Sequence, residues 1–376
     1  METPFVFGRV AEGKNFTNRL AEIKRLANNF RGQVNTTLIS PRRWGKSSLV
    51  EHAAHRVSRK EKKIRFVFID LFNVRTEFDF YRLLTENLFQ ATATKLEEAV
   101  AFSRQFFSHL LPQISFSPDP LSDYSIKLDW QEVQKKPDEV LDLAEAIAAR
   151  KHIKLVICID EFQNITDFQE PLAFQKQLRA HWQRHQNVTY CLYGSKRHMM
   201  QEVFTNPQMP FYHFGDLILL EKIDLKNWRK FIVQRFTETG KDISNELAGK
   251  IAMTVENHPF YVQQLAQLCW FRSQPTCTAE IIEEATTALL NQLSLLFQTL
   301  CDGLTGSQIN FLHALIDNIE QLSAQSTLHR YSLGTSANIQ RYKTALSNKE
   351  IIDVQAGRIE FLDPLFKLWL KRVYFN

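Results

Sequence analysis

The chain has 376 residues, enough for two or three domains. Hydrophobic residues make up 44% and charged residues 23%, values typical of a globular protein in water, and no apolar run is long enough to span a bilayer. The net charge of +5 permits contact with nucleic acid without requiring it. The N-terminus lacks a signal pattern and the five cysteines lack metal-like spacing, so we expect a cytoplasmic protein with reduced thiols and no membrane partner.

The first predicted strand, residues 34–39, runs through a short loop into a predicted helix, residues 47–58. The loop approaches the pattern G-x-x-x-x-G-K-[ST], with Ser40 in place of the first glycine. Loops of this kind bind phosphates through backbone N–H groups and a helix N-terminus, although an ordinary helix start is the alternative interpretation. Lys46 would reach the β and γ phosphates of a nucleotide, and the Ser47 hydroxyl would ligate Mg²⁺. The predicted nucleotide-binding residues of the loop are Pro41, Arg42, Arg43, Trp44, Gly45, Lys46, Ser47 and Ser48.

Residues 64–69 predict a second strand, which ends at Asp70, and helical patterns follow at residues 78–91 and 137–150. Between these helices, residues 115–136 differ in character. They contain the sequence S-P-D-P, and they alternate apolar and polar residues from 124 to 130. We interpret this span as an inserted hairpin or a mobile loop.

The sequence K-L-V-I-C-I-D-E at residues 154–161 predicts a buried central strand that ends in two acids. Asp160 would hold Mg²⁺ through water, and Glu161 would orient and polarise the attacking water. Two solvated acids that cap the following helix are the alternative. Further strands are predicted at residues 188–193, before Gly194 and Ser195, and at residues 216–220. The alternation of strands with helices predicts a parallel α/β sheet.

The pattern becomes helical from residue 224 onward, with predicted helices at residues 225–236, 243–255, 259–271 and 279–300. We interpret them as a small helical lid, in which Pro259 suits the first turn of its helix. Later helices and a hairpin at residues 351–361 predict a winged helix-turn-helix, which can bind DNA or pack against protein. The predicted domains are an α/β core at 1–222 with an insertion at about 115–136, a lid at 223–302 and a winged-helix domain at 303–376.

Taken in order, these motifs resemble the archaeal-type ATPases of the STAND class, relatives of the AAA+ ATPases. The matching segments are F-x-x-R-x-x-E at 16–22, P-R-R-W-G-K-S at 41–47, D-E-F-Q at 160–163, Gly-Ser at 194–195, N-H-P-F-Y at 257–261, Y-S-L-G at 331–334 and D-P-L-F-K-L-W at 363–369. The resemblance implies a P-loop ATPase core, a helical lid and a C-terminal winged helix, with ATP or ADP and Mg²⁺ as ligands.

The resemblance also implies roles for single residues. Phe16 and Arg19 would border the adenine, and Ser195 would sense the γ-phosphate. The lid would contact the nucleotide through His258 and Pro259. Like Lys46 and Glu161, Ser195 is therefore expected to take part in catalysis.

The sequence departs from the family pattern at three places. Ser40 would cost on the order of 1 kcal/mol if the first loop position needs a positive φ angle. Asn257 replaces a glycine of the lid motif, although asparagine tolerates left-handed geometry. Asp216 lies in a stretch where relatives often carry an arginine. Arg197 is a candidate substitute for that catalytic charge, or else a solvated residue at a helix start.

Three functional hypotheses follow. The favoured one is an ATP-binding switch that hydrolyses ATP slowly. The alternative is an ATP-regulated DNA-binding protein that uses Arg341 and Lys343 of the winged helix. A third is a non-hydrolysing scaffold, for which Ser40 and Asp216 are the reasons. The sequence leaves open whether DNA or protein binds the C-terminal domain and whether chains form oligomers.

Overall fold

The computed structural model describes residues 3–9, 13–93, 113–115, 125–127, 137–355 and 357–375. The chain divides into two compact units. Unit 1 comprises Met1–Asn18 and Lys222–Asn376, and unit 2 comprises Arg19–Glu221. Among the described residues, no helix combines the length and the apolar character needed to cross a membrane.

Unit 2 is built on a sheet of five parallel strands in the order β2-β5-β6-β1-β7. A separate antiparallel pair, β3 with β4, lies within or beside the predicted insertion. The rest of that insertion, including the alternating residues 124–130 apart from 125–127, lies outside the described residues. The strands are β1 (Thr36–Ile39), β2 (Ile64–Asp70), β3 (Gln113–Ser115), β4 (Ser125–Lys127), β5 (Lys154–Asp160), β6 (Val188–Gly194) and β7 (Asp216–Leu219).

The central strands are buried because helices cover the sheet. Strand β6 is buried along its whole length, and β5 is buried at every residue between its first and last. Aromatic side chains fill much of the core, where the Trp182 and Tyr190 rings stack with centroids 4.0 Å apart. The helices are α1 (Leu20–Gly32), α2 (Lys46–Ser58), α3 (Glu77–Thr92), α4 (Pro137–Leu141), α5 (Leu143–Lys151), α6 (Pro171–Trp182) and α7 (Arg197–Thr205), with a 3₁₀ helix at Phe162–Asp167.

The strand register determines which loops meet. Ile39 of β1 pairs with Gly194 of β6, and Ile159 of β5 pairs with Leu192 of β6. Because the strands are parallel, the segments that follow β1, β5 and β6 leave the sheet at the same edge. Ligands of open α/β sheets bind at this carboxyl edge. Strand β6 lies between β1 and β5, so Ser195 emerges between the phosphate loop and the two acids.

Unit 1 is helical up to its C-terminal hairpin. The N-terminal segment packs into this unit, since Phe5 contacts the rings of Phe231 and Phe236 and the Val6 N–H donates to Gln263 Oε1 at 3.0 Å. Its elements are α8 (Leu225–Thr237), α9 (Asn245–Thr254), α10 (Pro259–Arg272), α11 (Ala279–Asp302), α12 (Gly306–Ile316), α13 (Gln325–Arg330), α14 (Ser336–Asn348), β8 (Ile352–Gln355), β9 (Arg358–Phe361) and α15 (Pro364–Trp369), followed by a π-helical turn at Leu370–Tyr374.

The last part of unit 1 is a winged-helix domain. Helices α12, α13 and α14 precede the antiparallel hairpin β8–β9, which forms the wing. The turn between α13 and α14 uses positive φ angles at Ser332 (51°) and Gly334 (77°). The fold is therefore a parallel α/β P-loop core followed by a helical region and a winged helix, as the sequence predicts. The boundaries of the three predicted domains stay a prediction.

Candidate functional site

The loop between β1 and α2 has the backbone of a phosphate-binding loop. Its positive φ angles fall at Arg43 (62°) and Gly45 (86°), and not at Ser40. The N–H of Ser40 donates to the Gly194 carbonyl at 3.4 Å, and its hydroxyl donates to the Pro41 carbonyl at 3.0 Å. The strain considered for Ser40 therefore does not arise, because this serine does not need the conformation that favours glycine.

Helix α2 begins directly after this loop. Gly45 is its N-cap residue, and no side chain caps the helix there. The first N–H groups of a helix have no intrahelical acceptor, and the helix dipole adds positive potential at that end. An uncapped N-terminus that follows a tight loop can therefore bind an anion such as phosphate. Leu49, Val50 and Ala53 anchor the helix in the core.

Lys46 and Ser47 of α2 contact the two acids at the end of β5. The Lys46 amine lies 2.7 Å from Glu161 Oε1 and 3.1 Å from Asp160 Oδ1. The Ser47 hydroxyl donates to Asp160 Oδ2 at 2.7 Å. The side chain of Lys46 is 12% exposed, and those of the two acids are 16% exposed each. The acids are thus paired with the loop, and they are not merely solvated helix caps.

The second oxygen of the Glu161 carboxylate faces β6. Glu161 Oε2 accepts hydrogen bonds from the Ser195 hydroxyl at 2.8 Å and from Gln163 Nε2 at 2.6 Å. Glu161 itself has a positive φ angle of 50° at the N-cap of the 3₁₀ helix. Sequence reasoning gave Gln163 no role of its own, although it is the last letter of the D-E-F-Q segment. Gln163 contacts the site because it lies two residues after Glu161 and because β6 lies next to β5.

Burial and charge act in opposite directions on these groups. Burial alone would lower the pKa of Lys46, but the attraction of Asp160 and Glu161 outweighs it and leaves that pKa raised. Burial raises the pKa of Asp160, and Lys46 and Ser47 offset this only in part. Burial would also raise the pKa of Glu161, but Lys46, Gln163 and Ser195 together lower it. Glu161 is therefore the acid that these contacts favour in its ionised form.

The two arginines predicted for the site outside the loop, Arg19 and Arg197, also lie in unit 2. The guanidinium of Arg197, in the first position of α7, lies 5.9 Å from the centre of the Trp44 ring. This contact brings Arg197 to the phosphate loop, as a catalytic role would need. Arg19 is the buried N-cap residue of α1, and it forms an ion pair with Glu22 at 3.1 Å.

The remaining predicted contacts belong to unit 1. Phe16 follows a 3₁₀ turn at Gly13–Asn15 and donates its N–H to the Gly13 carbonyl. His258 is buried at the N-cap of α10, and Pro259 is the first residue of that helix. Asn257, which replaces the lid glycine, has a φ angle of 59°, the left-handed geometry that asparagine tolerates. The roles of Phe16, His258 and Pro259 toward a nucleotide stay predictions.

Asp216 lies at the other edge of the sheet. It is the first residue of β7 and pairs with Thr36, the first residue of β1, whereas the phosphate loop follows the last residue of β1. Its carboxylate accepts hydrogen bonds from Arg25 at 2.8 and 2.5 Å and from Asn29 at 2.7 Å. The Asp216 carboxylate therefore lies away from the loop of its own chain, and the arginine that relatives often carry in this stretch stays absent. The residue anchors α1 to the amino edge of the sheet.

The side-chain oxygen atoms near the loop are suited to Mg²⁺ that is also bound by a nucleotide, and they are too few to hold a metal ion by themselves. Ser47 Oγ and Asp160 Oδ2 lie next to each other. Within the described ranges, no group of three or more His, Cys, Asp or Glu side chains could hold a metal. Mg²⁺ is commonly bound by one or two protein oxygens together with substrate phosphates, and it does not need a closed protein cage. The residues present therefore fit Mg²⁺ bound together with a nucleotide.

Sequence comparison agrees with this geometry. Residues 16–265 match the family described as "ATPase domain predominantly from Archaea", and residues 295–372 match a "Probable winged helix domain". The chain belongs to this family of archaeal ATPases. It is a P-loop ATPase with a C-terminal winged-helix domain. No curated protein matches the chain in sequence.

Solved structures share the fold over the full length of this ATPase. A Walker-type ATPase of Pyrococcus abyssi is 16% identical, with a TM-score of 0.66 over 98% of this chain and 100% of the other. The ORC2 protein of Aeropyrum pernix, in ADPNP and ADP complexes, is 12% identical, with a TM-score of 0.59 over 98% and 96%. The ORC1 protein of the same organism, in complex with DNA, is 13% identical, with a TM-score of 0.50 over 100% and 99%. At such identities the likeness concerns the fold.

Proposed function

We propose that the chain binds ATP or ADP at the loop and slowly hydrolyses the β–γ phosphoanhydride bond of ATP, as a nucleotide-dependent conformational switch. The observation that carries the proposal is the direct contact of Lys46 and Ser47 with Asp160 and Glu161. An amine and a hydroxyl at an uncapped helix N-terminus, facing two carboxylates, are the groups that phosphoryl transfer uses.

Each group has a task that follows from its position. The loop N–H groups and Lys46 hold the phosphates, which compete with the carboxylates for the amine. Ser47 and Asp160 hold Mg²⁺, which when bound supplies positive charge against the phosphate oxygens. Glu161 orients the attacking water and accepts its proton through Oε1, the oxygen that Lys46 contacts.

Further residues complete the proposed site. Ser195 is held beside Glu161, where it can respond to the γ-phosphate. Arg197 supplies positive charge from its position at Trp44. The loop residues Pro41, Arg42, Arg43, Gly45 and Ser48 surround the phosphates, and the family resemblance implies that Phe16 and Arg19 would border the adenine.

The switch requires different contacts of the lid with ATP and ADP. His258 and Pro259 begin helix α10, so a shift of this helix start moves a rigid element of unit 1. A ligand changes a conformational equilibrium only by its difference in affinity for the two states. Through such a difference, the nucleotide would bias the winged-helix domain between two arrangements.

The decisive experiment measures nucleotide affinity and phosphate release for the wild type, Lys46→Ala and Glu161→Gln. We expect Lys46→Ala to lose both, and Glu161→Gln to keep binding while turnover falls by about 100-fold or more. Lys176→Ala, at an exposed lysine of α6 distant in sequence from the loop, is the matched control and should behave like the wild type. A wild-type protein that neither binds nor hydrolyses ATP would contradict the proposal.

A second candidate is an ATP-regulated DNA-binding protein. Helix α14 and its flanking Thr335 and Lys349 contain no acidic residue, and Arg341 on this helix is exposed. Arg358 at the start of the second wing strand is also exposed. This charge supports contact with phosphates or bases by a helix and a wing.

The test is a titration with labelled DNA over a range of salt concentrations, with competitor DNA present. Specific binding should survive the competitor and weaken in Arg341→Ala and Lys343→Ala, and each lost phosphate contact should reduce the salt slope by about 1. Lys226→Ala, on a helix outside the winged helix, is the control. If these variants lose affinity equally for every DNA sequence, the two residues contribute only attraction to the phosphates, and sequence-specific binding by this helix is contradicted.

The third hypothesis, a scaffold that does not hydrolyse nucleotide, loses one of its two reasons, because Ser40 adopts no left-handed conformation. Its other reason, the lack of an arginine at residues 214–216, remains. Tight nucleotide retention without phosphate release would still support it. Turnover that Glu161→Gln abolishes would remove it.

A further inference from the structure

The buried side chain of Gln163 has one hydrogen bond and one unpartnered oxygen. Only 1% of its surface is exposed. Its Nε2 donates to Glu161 Oε2 at 2.6 Å, whereas its own Oε1 is buried and finds no hydrogen-bond partner among the described residues. A buried carbonyl without a partner is unfavourable, so such a group in a folded protein calls for an explanation.

Gly194 is what makes room for this amide. A Cβ atom built on Gly194 would stand 1.9 Å from Gln163 Oε1, 2.8 Å from Met200 Sδ and 3.1 Å from Gln163 Cδ. A side chain at position 194 would therefore displace the glutamine amide from its position and press on Met200 as well. Gly194 does not have a positive φ angle. Its small size, and not its backbone freedom, is what the site uses.

The orientation of the amide follows from charge. If the amide rotated by half a turn, its carbonyl oxygen would face the Glu161 carboxylate and repel it. With the N–H group toward Glu161, the amide donates to an ionised acceptor, which is a stronger hydrogen bond than one between neutral groups. The strong bond to Glu161 explains why the carbonyl is left against Gly194.

We propose that Gln163 is a positioning residue for Glu161, and that Gly194 provides the space in which it works. Together with Ser195, Gln163 holds Oε2 on the β6 side, which turns Oε1 toward Lys46 and the phosphate loop. This inference rests on the proposed ATPase function and adds the group that aims its catalytic carboxylate. When phosphate attracts Lys46 away, Gln163 and Ser195 remain as the donors that orient and stabilise the carboxylate.

The test compares Gln163→Met, which keeps the length but removes the N–H, with the wild type. We expect nucleotide affinity within about threefold of the wild type, because the side-chain hydrogen bond of Gln163 goes to Glu161 and not to a phosphate-binding group. We expect kcat to fall by about tenfold or more while KM stays nearly unchanged, because the carboxylate that orients the water loses one of the two donors that hold Oε2. Gln175→Met is the matched control, since Gln175 is an equally buried glutamine with an unpartnered Oε1, on α6.

Two further variants keep the test informative if the Gln163→Met protein fails to fold. Gln163→Asn keeps an amide that is too short to reach Glu161, and Gly194→Ala displaces the intact glutamine, so both should reproduce the loss. A Gln163→Met protein with the kcat of the Gln175→Met control overturns the positioning role alone. A wild type that binds ATP without turnover overturns the proposed hydrolysis, and the positioning role with it.

Discussion

Replacing Lys46 by methionine should destabilise the folded protein even without nucleotide. The amine lies between two mostly buried carboxylates, 2.7 Å from Glu161 and 3.1 Å from Asp160. Lys46→Met keeps most of the side-chain length and removes only the charge. It leaves two like charges close together, each with 16% of its side chain exposed. Removing one partner of a buried ion pair is strongly unfavourable for that reason.

The size of the effect follows from these distances. At an effective dielectric constant of about 20, the two attractions amount to about 6 and about 5 kcal/mol before the burial of the charges is counted. Most of this offsets burial, and the net loss on removing one partner is about 3 kcal/mol. For a unit the size of Arg19–Glu221, such a loss lowers the melting temperature by about 6–12 °C.

Thermal unfolding followed by circular dichroism, on protein dialysed free of nucleotide, measures this loss. Lys176→Met, at an exposed lysine, is the control and should change the free energy of unfolding by less than about 0.5 kcal/mol. Adding Glu161→Gln to Lys46→Met should restore part of the stability, because it removes one of the two repelling charges. A Lys46→Met protein that melts within about 1 °C of the control, or a double variant less stable than the single one, would refute the reasoning.

Three other outcomes are expected. Asp216→Asn should lower the free energy of unfolding by about 1 kcal/mol, since Arg25 is half exposed, and leave kcat unchanged; a lower kcat would place Asp216 in the site after all. The hydrogen bonds from Arg25 lower the pKa of Asp216. Asp216 therefore stabilises the folded protein above its unfolded pKa of about 3.9, and this stabilisation is lost as pH falls through the lower folded pKa. Acid unfolding of Asp216→Asn should lack that loss. Arg197→Met should lower kcat with little change in nucleotide affinity, and an unchanged kcat would remove it from catalysis. Glu161→Gln should flatten the fall in stability below about pH 4.3, because Lys46, Gln163 and Ser195 overcome burial and depress the pKa of Glu161.

Local sequence patterns were sufficient to predict the residues at the carboxyl edge of the sheet. The apolar run of β5 ends in Asp160 and Glu161, and the loop before Lys46 lies between a strand and a helix, so short segments of sequence predict both parts. Parallel strands then bring their carboxyl ends together whatever the strand order. For the same reason the P-loop core and the winged helix could be predicted, and the strands are confirmed to within about two residues.

Contacts between distant segments could not be predicted. The ion pair of Arg25 with Asp216 joins residues 191 positions apart, and Val6 reaches Gln263 across 257 positions. The position of the unpartnered carbonyl oxygen of Gln163 is explained only by Gly194, which lies on β6 beside β5. The periodicity of apolar residues within one segment does not indicate which distant segment packs beside it.

Two helices that the sequence analysis does not predict have a helical pattern of apolar residues. Helix α6 was not predicted, yet Phe174, Leu178 and Trp182 recur at the spacing of a buried helix face. Helix α1 likewise carries Ile23, Leu26 and Phe30 on its buried side. The single helix predicted at residues 137–150 is instead two helices, α4 and α5, that break at Asp142.

The most direct test of the site is the mass of the nucleotide that the protein retains after incubation with ATP and Mg²⁺. The Glu161→Gln protein should carry intact ATP, and the wild type should carry ADP, because in the proposed function both bind through Lys46 and Ser47 and only the wild type has a carboxylate to accept the proton from water. Intact ATP in both proteins, or no nucleotide in either, would contradict the account.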